Sequence, residues 1–170
     1  METILISGVV AKRLKEEAKK HNLSIKEYLL ELLTQNLDPQ NKAKEYMKAS
    51  EELLAEAGKE LEKDNVRQAA EKVWGAAALA VKAYAYWKNG KRLTSRGQLW
   101  EYKRKIESEL GEWAGDAWAR AVEMHVCFYE NWCNKDDVEK ALKSIKKLVK
   151  TIAQKYSNTP PKESPPAHTY

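Results

Sequence analysis

The residues best suited to chemistry gather in one short stretch of cations and rings. Lys88, Lys91, Arg92, Arg96, Lys103, Arg104 and Lys105 enclose Trp87, Trp100 and Tyr102. Guanidinium and ammonium groups answer phosphate charge and aromatic faces stack on bases, so the mixture suits a nucleotide or single-stranded nucleic acid. Ser95, Arg96 and Gly97 stand where a helix should begin, and the backbone N–H groups of a helix N-terminus point at anions. Arg92, Arg96 and Trp100 are therefore candidate binding residues. The plainer alternative is a solvated loop whose tryptophans belong to the core.

His125 marks a second centre. It falls on a stripe with Trp118, Ala121, Tyr129 and Trp132 at helical spacings. Such a histidine either packs against aromatics and hydrogen-bonds a neighbour such as Glu123 or Tyr129, or opens to a pocket in which Tyr129 and Trp132 bind a ligand. Both readings stay open on the residues alone. Cys127 and Cys133 are the only cysteines. Six apart and without a second Cys/His pair, they match neither a zinc site nor a disulfide framework, so reduced, packed thiols are expected. No metal site or cofactor is indicated. The G-x-x-x-x-G-K-[S/T] loop, the G-x-S-x-G elbow and the H-E-x-x-H pair are all absent, which disfavours the common NTPase, hydrolase and zinc-protease chemistries.

The net charge is +5, and its distribution says more than its sum. Residues 1–38 carry six cations and six anions. Residues 88–105 carry seven cations and one anion, whereas residues 106–133 carry one cation and six anions. A basic loop thus precedes an acidic helix. Lys140, Lys143, Lys147 and Lys150 form a further basic face, which is either a solvated surface or a weaker binding surface.

The elements that must position these groups are helices. Hydrophobic residues make up 43% of the chain and charged residues 32%, with 7 Gly and 5 Pro, a balance that suits ordered helices. The longest apolar run, 75–81, is far short of a membrane span, and no basic, apolar leader opens the chain. A cytoplasmic protein without a membrane partner is expected.

Residues 2–7 alternate apolar and polar side chains, which predicts a short half-buried strand. Two helices should follow. Ser24-Ile25-Lys26-Glu27 reads as a capping box opening the second, with Ile25, Tyr28, Leu29, Leu32 and Leu33 on its apolar face. Asp38-Pro39 ends this lead and starts a long helix. Asn65, with Gln68 three residues on, should cap the next, whose Gly75-Ala76-Ala77-Ala78 admits close approach by a neighbour. Asn89-Gly90 stops that helix, and Ser95 with Gln98 opens another reaching Leu110. Two more are expected, at about 112–132 and, capped by Asn134 or Asp136, to about 156. The spacing therefore predicts an all-α protein: a strand-helix-helix segment over 1–38, a bundle of about five helices over 39–157, and a flexible tail over 158–170.

Three stretches carry a family resemblance: residues 68–83, from Gln68 through Val73-Trp74-Gly75 to Ala83; Gly97-Gln98-Leu99-Trp100; and His125-Val126-Cys127-Phe128-Tyr129-Glu130-Asn131-Trp132. Together they resemble the archaeal PaREP family, type one, whose core is similar to the HEPN (higher eukaryotes and prokaryotes nucleotide-binding) bundles. The resemblance implies a HEPN-like helical bundle, an archaeal cytoplasmic origin and homodimerisation, in keeping with an interaction or regulatory module. HEPN ribonucleases carry Arg, four to six residues and His on a late helix, and Arg120 and His125 fit that spacing. The resemblance thus implies metal-independent RNA cleavage, with His125 as base on a 2′-hydroxyl and Arg120 holding phosphate charge. Against it stand the acidity of the helix and a five-residue separation, about 140° around the axis. Arg120 alternatively pairs with Asp116 or Glu123. The lead segment also resembles the ribbon-helix-helix pattern, but its strand offers Glu2, Thr3, Leu5 and Ser7 and no cation, which favours dimerisation over DNA reading.

Overall fold

A computed structural model describes residues 2–157, and among them every regular element is a helix, seven in all. The chain divides into two compact units, Met1–Asp38 and Pro39–Tyr170.

The first unit holds α1 (Gly8–Lys20) and α2 (Ile25–Thr34). Asn22 takes a left-handed conformation at φ 54°, which asparagine tolerates better than most residues, and the chain turns there. Ser24 then caps α2, its hydroxyl accepting the Glu27 N–H at 3.1 Å. The expected strand does not form. Extended backbone gains its hydrogen bonds from a neighbouring strand, and the described residues supply none, so the strand-helix-helix expectation gives way to a helix pair. Ile4 and Leu5 are left 86% and 94% exposed.

The second unit is a five-helix bundle of α3 (Pro39–Glu62), α4 (Val66–Asn89), α5 (Arg96–Leu110), α6 (Glu112–Glu130) and α7 (Lys135–Ser157). Helix α4 is its centre, packed on the other four. The reason is compositional: Ala69, Ala70, Ala76, Ala77, Ala80, Ala83 and Ala85 are fully buried and spread around the helix, so neighbours approach it on several sides. Against α3 the approach is close enough for the buried Ser50 hydroxyl to donate to the Ala76 carbonyl at 2.7 Å. Helix α7 turns Val138, Leu142, Ile145, Leu148, Val149 and Ile152 inward, each side chain buried.

Chain breaks fall where turn chemistry puts them. Gly90 is left-handed at φ 62°, and its N–H reaches the Tyr86 carbonyl at 2.9 Å, closing α4 in an αL turn. Ser95 accepts from the Gln98 N–H at 3.2 Å and so opens α5. Asn134 and Asp137 cap α7 reciprocally, at 3.0 and 2.9 Å. Asn65 precedes α4 but makes no cap with its side chain, which donates to Glu60 at 2.8 Å instead.

Helix α6 ends at Glu130, two residues short of the expected Trp132. Asn131 turns left-handed at φ 53°, its N–H bonded to the Cys127 carbonyl at 2.7 Å. That reversal overturns the expectation of reduced thiols. In an unbroken helix residues six apart are separated by roughly 9 Å along the axis. Here the Cα atoms of Cys127 and Cys133 lie 5.6 Å apart, and the two are joined as a disulfide.

One polar hub ties three helices of the bundle. Glu109 of α5 accepts from Tyr84 of α4 at 2.7 Å and from Lys155 of α7 at 3.1 Å, and pairs with Lys88 at 2.6 Å. Burial pushes its carboxyl up, but the donors Lys88, Tyr84 and Lys155 outweigh it and hold the group down at about 2. Among the described residues no helix is long and apolar enough to cross a membrane. The tail expected over 158–170 lies outside the described residues.

Candidate functional site

Three helices of the bundle each lend a short face to one cluster. Helix α4 contributes Glu71 and Trp74, three residues apart and hence neighbours on its surface. Helix α6 contributes Trp118, His125 and Tyr129, two helical turns and then one turn apart. The N-terminal turn of α5, fixed by the Ser95 cap, contributes Arg96 and Trp100.

His125 is the point where they meet. Its Nδ1 lies 3.2 Å from the Glu71 carboxylate and its Nε2 lies 3.0 Å from an Arg96 guanidinium nitrogen. A guanidinium has no acceptor, so Nε2 must accept, which leaves Nδ1–H to donate to Glu71. The contacts thereby select one neutral tautomer. Trp74 lies against the imidazole at a centroid distance of 5.0 Å, and Tyr129 meets it edge-on at 5.0 Å. Behind them Trp118 packs on Trp74 at 5.3 Å and on Trp100 at 6.1 Å.

The cluster grades from sealed to open. Trp118 is 1% exposed, and its indole N–H has no hydrogen-bond partner among the described residues. The His125 side chain is 17% exposed, whereas Tyr129 is 66% exposed and Arg96 faces solvent. Burial raises the Glu71 carboxyl, an effect opposed by its hydrogen bond to His125. The result is a charged, hydrogen-bonded line of carboxylate, imidazole and guanidinium within an aromatic frame. It can offer guanidinium N–H donors to an oxyanion and ring faces to a planar group.

The structure joins Arg96 to His125, and thereby brings together residues that the sequence placed in separate centres. Trp100 and Tyr129 flank the same cluster. Arg92 is exposed on the segment before α5. Trp132, 51% exposed, follows the left-handed Asn131 and adjoins the disulfide. Arg120 is exposed, is not among the hydrogen-bond partners of His125, and its charge is felt at Lys140 of α7. Neither Glu123 nor Tyr129 hydrogen-bonds His125; that place is taken by Glu71. In the α7 basic face, Lys140 pairs with Asp136 at 2.8 Å and Lys147 covers the Trp113 ring at 4.3 Å.

Sequence reasoning missed Glu71 as a member of the site and named Trp74 only within the stretch that carries the family resemblance. Their three-residue spacing was visible, but nothing local shows that Glu71 meets a residue 54 positions away. Among the described residues no three His, Cys, Asp or Glu side chains gather to hold a metal ion. An open groove of about 650 Å³ between α3 and α7, bordered by Leu54, Lys146, Val149 and Lys150, shares no residue with the cluster.

Residues 45–149 match the archaeal PaREP1/PaREP8 family. The match covers more than half of the chain, and the protein belongs to that family. Glu71, Trp74, Arg96, Trp100, His125 and Tyr129 all fall within the matched span. No curated protein and no solved structure matches the chain.

Proposed function

We propose that the bundle binds a phosphate-bearing ligand with an aromatic base, either a free nucleotide or a unit of single-stranded RNA. The observation that carries this reading is the 3.0 Å contact between Arg96 and His125, the latter oriented by Glu71. A ligand phosphate replaces His125 as the partner of Arg96, exchanging a neutral acceptor for a charged one, which strengthens the hydrogen bond. Trp100 and Tyr129, both exposed at the rim, offer stacking faces for the base.

Titration of the protein with fluorescein-labelled oligouridylate and, separately, with adenosine monophosphate tests the reading. Binding should weaken as salt rises and fall by about tenfold or more when Arg96 is replaced. Equal binding by the parent and by Arg96→Ala would remove the site from consideration. Metal-independent cutting of the RNA by the parent and not by His125→Ala would extend the reading to a ribonuclease in which Arg96 takes the part assigned to Arg120.

A second reading concerns the first unit and rests on its surface. Leu5, Ile4, Leu33 and Val9 are 94%, 86%, 82% and 71% exposed within 38 residues. A unit this small rarely stands alone with so much apolar surface in water, and pairing with a second copy of the chain would cover it. Light scattering should give the mass of a dimer, reduced by Leu5→Glu with Leu33→Glu. A monomeric parent at high micromolar concentration rules the dimer out.

A further inference from the structure

We propose that the Cys127–Cys133 disulfide is a reversible latch that holds the aromatic rim of the His125 site in order. The bond closes a short loop around the end of α6, and the residues inside it include Tyr129, which touches His125, and Trp132, which is half exposed. The same loop contains Asn131 in its left-handed turn. A second clamp acts on the near side. Arg67 donates twice to the Phe128 carbonyl, at 2.9 and 2.7 Å, and its guanidinium lies over the Phe128 ring at 5.5 Å. Beyond Phe128, the structure provides the Asn131 N–H bond to the Cys127 carbonyl and the disulfide itself as constraints on the rim. Helix ends fray where their last carbonyls lack partners. Opening the disulfide therefore releases the segment that carries Tyr129 and Trp132.

The two sulfur atoms differ in a way that gives the exchange a direction. Cys127 is completely buried and Cys133 is partly exposed. A dithiol reductant accordingly attacks through its thiolate at Cys133 Sγ. The bond to Cys127 Sγ breaks, and Cys127 leaves as a thiolate that takes up a proton. The second thiol of the reductant closes on the mixed disulfide, loses its proton and frees Cys133 as a thiol. Two electrons and two protons pass to the pair, and the reductant becomes a cyclic disulfide. An oxidising disulfide compound reverses the sequence. Cytosolic thiols are usually kept reduced, although disulfides are common within proteins of some archaea, so both states are chemically accessible inside a cell.

The effect on ligand rests on the binding reading given above. Holding two rim side chains in place spares the cost of ordering them on binding, so the oxidised protein should bind about tenfold more tightly than the reduced protein. The test uses the full chain, oxidised or treated with dithiothreitol, with fluorescein-labelled oligouridylate as the probe and amide exchange over residues 128–133 as a ligand-free readout. Support comes from tighter binding by the oxidised form together with a Cys133→Ser variant that matches the reduced protein and ignores dithiothreitol. Equal affinity of the oxidised, reduced and variant proteins overturns the latch and leaves the binding reading intact. If neither this probe nor adenosine monophosphate binds either form, the binding reading fails, and exchange decides the latch: faster exchange on reduction sustains it, and unchanged exchange overturns it.

Discussion

Arg96 and His125, 29 residues apart in the chain, meet at 3.0 Å across the α5–α6 boundary. That contact makes one site of a basic loop and an acidic helix. The basic stretch supplies the guanidinium, the acidic helix supplies the imidazole, and Glu71 of α4 fixes the tautomer that lets the two associate. One cation of the basic stretch thus meets the imidazole of the acidic helix and, through it, a carboxylate of α4, with the Trp74 and Tyr129 rings against the imidazole.

The first prediction separates Arg96 from Arg120. Charge-assisted hydrogen bonds contribute about 1.5–3 kcal/mol, so Arg96→Ala should weaken binding of labelled oligouridylate by roughly 10- to 100-fold. Arg120→Ala, altering an exposed residue that does not hydrogen-bond His125, should change it less than about twofold. Fluorescence anisotropy at low salt measures both. The reverse order would restore the helix-borne Arg120 and His125 pair as the working site.

A second prediction addresses Glu71. Glu71→Ala leaves the imidazole without its Nδ1 partner, so only the solvent-facing Arg96 contact at Nε2 still favours the proton on Nδ1, and the preference for one tautomer weakens. The nitrogen chemical shifts of His125 should move from a single tautomer toward a mixture, and ligand affinity should fall about tenfold through loss of orientation alone. An unchanged tautomer in Glu71→Ala would show that Arg96 suffices to set it.

The bundle was legible because its signals are local. The alanine-rich stretch around Gly75, the Asn89-Gly90 stop and the Ser95 cap each act within a few residues, and each appears where the sequence puts it. What escaped depends on partners distant in the chain or on a single backbone angle. Residues 2–7 alternate as a strand does, yet alternation cannot supply the neighbouring strand that pairing requires. The disulfide was hidden by one residue: with Asn131 helical the two cysteines diverge, and with it left-handed they meet. The site itself was half visible. His125, Arg96, Trp100 and Tyr129 stood out by type, whereas their convergence depends on how α4, α5 and α6 pack.

That packing gives a third prediction. Ala76 is wholly buried and its carbonyl accepts from Ser50 of α3. Ala76→Leu adds bulk where the helices are already in contact, which should destabilise the protein by about 3 kcal/mol or more in urea. Gln68→Leu, on an exposed face of the same helix, should stay within about 0.5 kcal/mol of the parent. Similar losses in the two variants would mean that α4 does not approach α3 as closely as the Ser50 contact requires.

The last prediction turns on acid. Glu109 is held at about 2, below its ordinary 4.5, because Lys88, Tyr84 and Lys155 donate to its charged form despite burial. A carboxyl depressed in the folded state contributes stability that is fully present above its unfolded value and lost as pH falls through the folded one. The window therefore runs from about 4.5 down to about 2. The difference sets an upper bound of roughly 3 kcal/mol at neutral pH, which solvent screening of this partly exposed group reduces to about 1–2 kcal/mol. Glu109→Gln cannot carry the charge and leaves Lys88 and Lys155 without it. Urea unfolding at pH 7 should show the variant less stable by about 1–2 kcal/mol, with the gap to the parent closing as pH is lowered through the window. A gap that holds constant from neutral pH to pH about 2 would mean that Glu109 acts by packing rather than by charge.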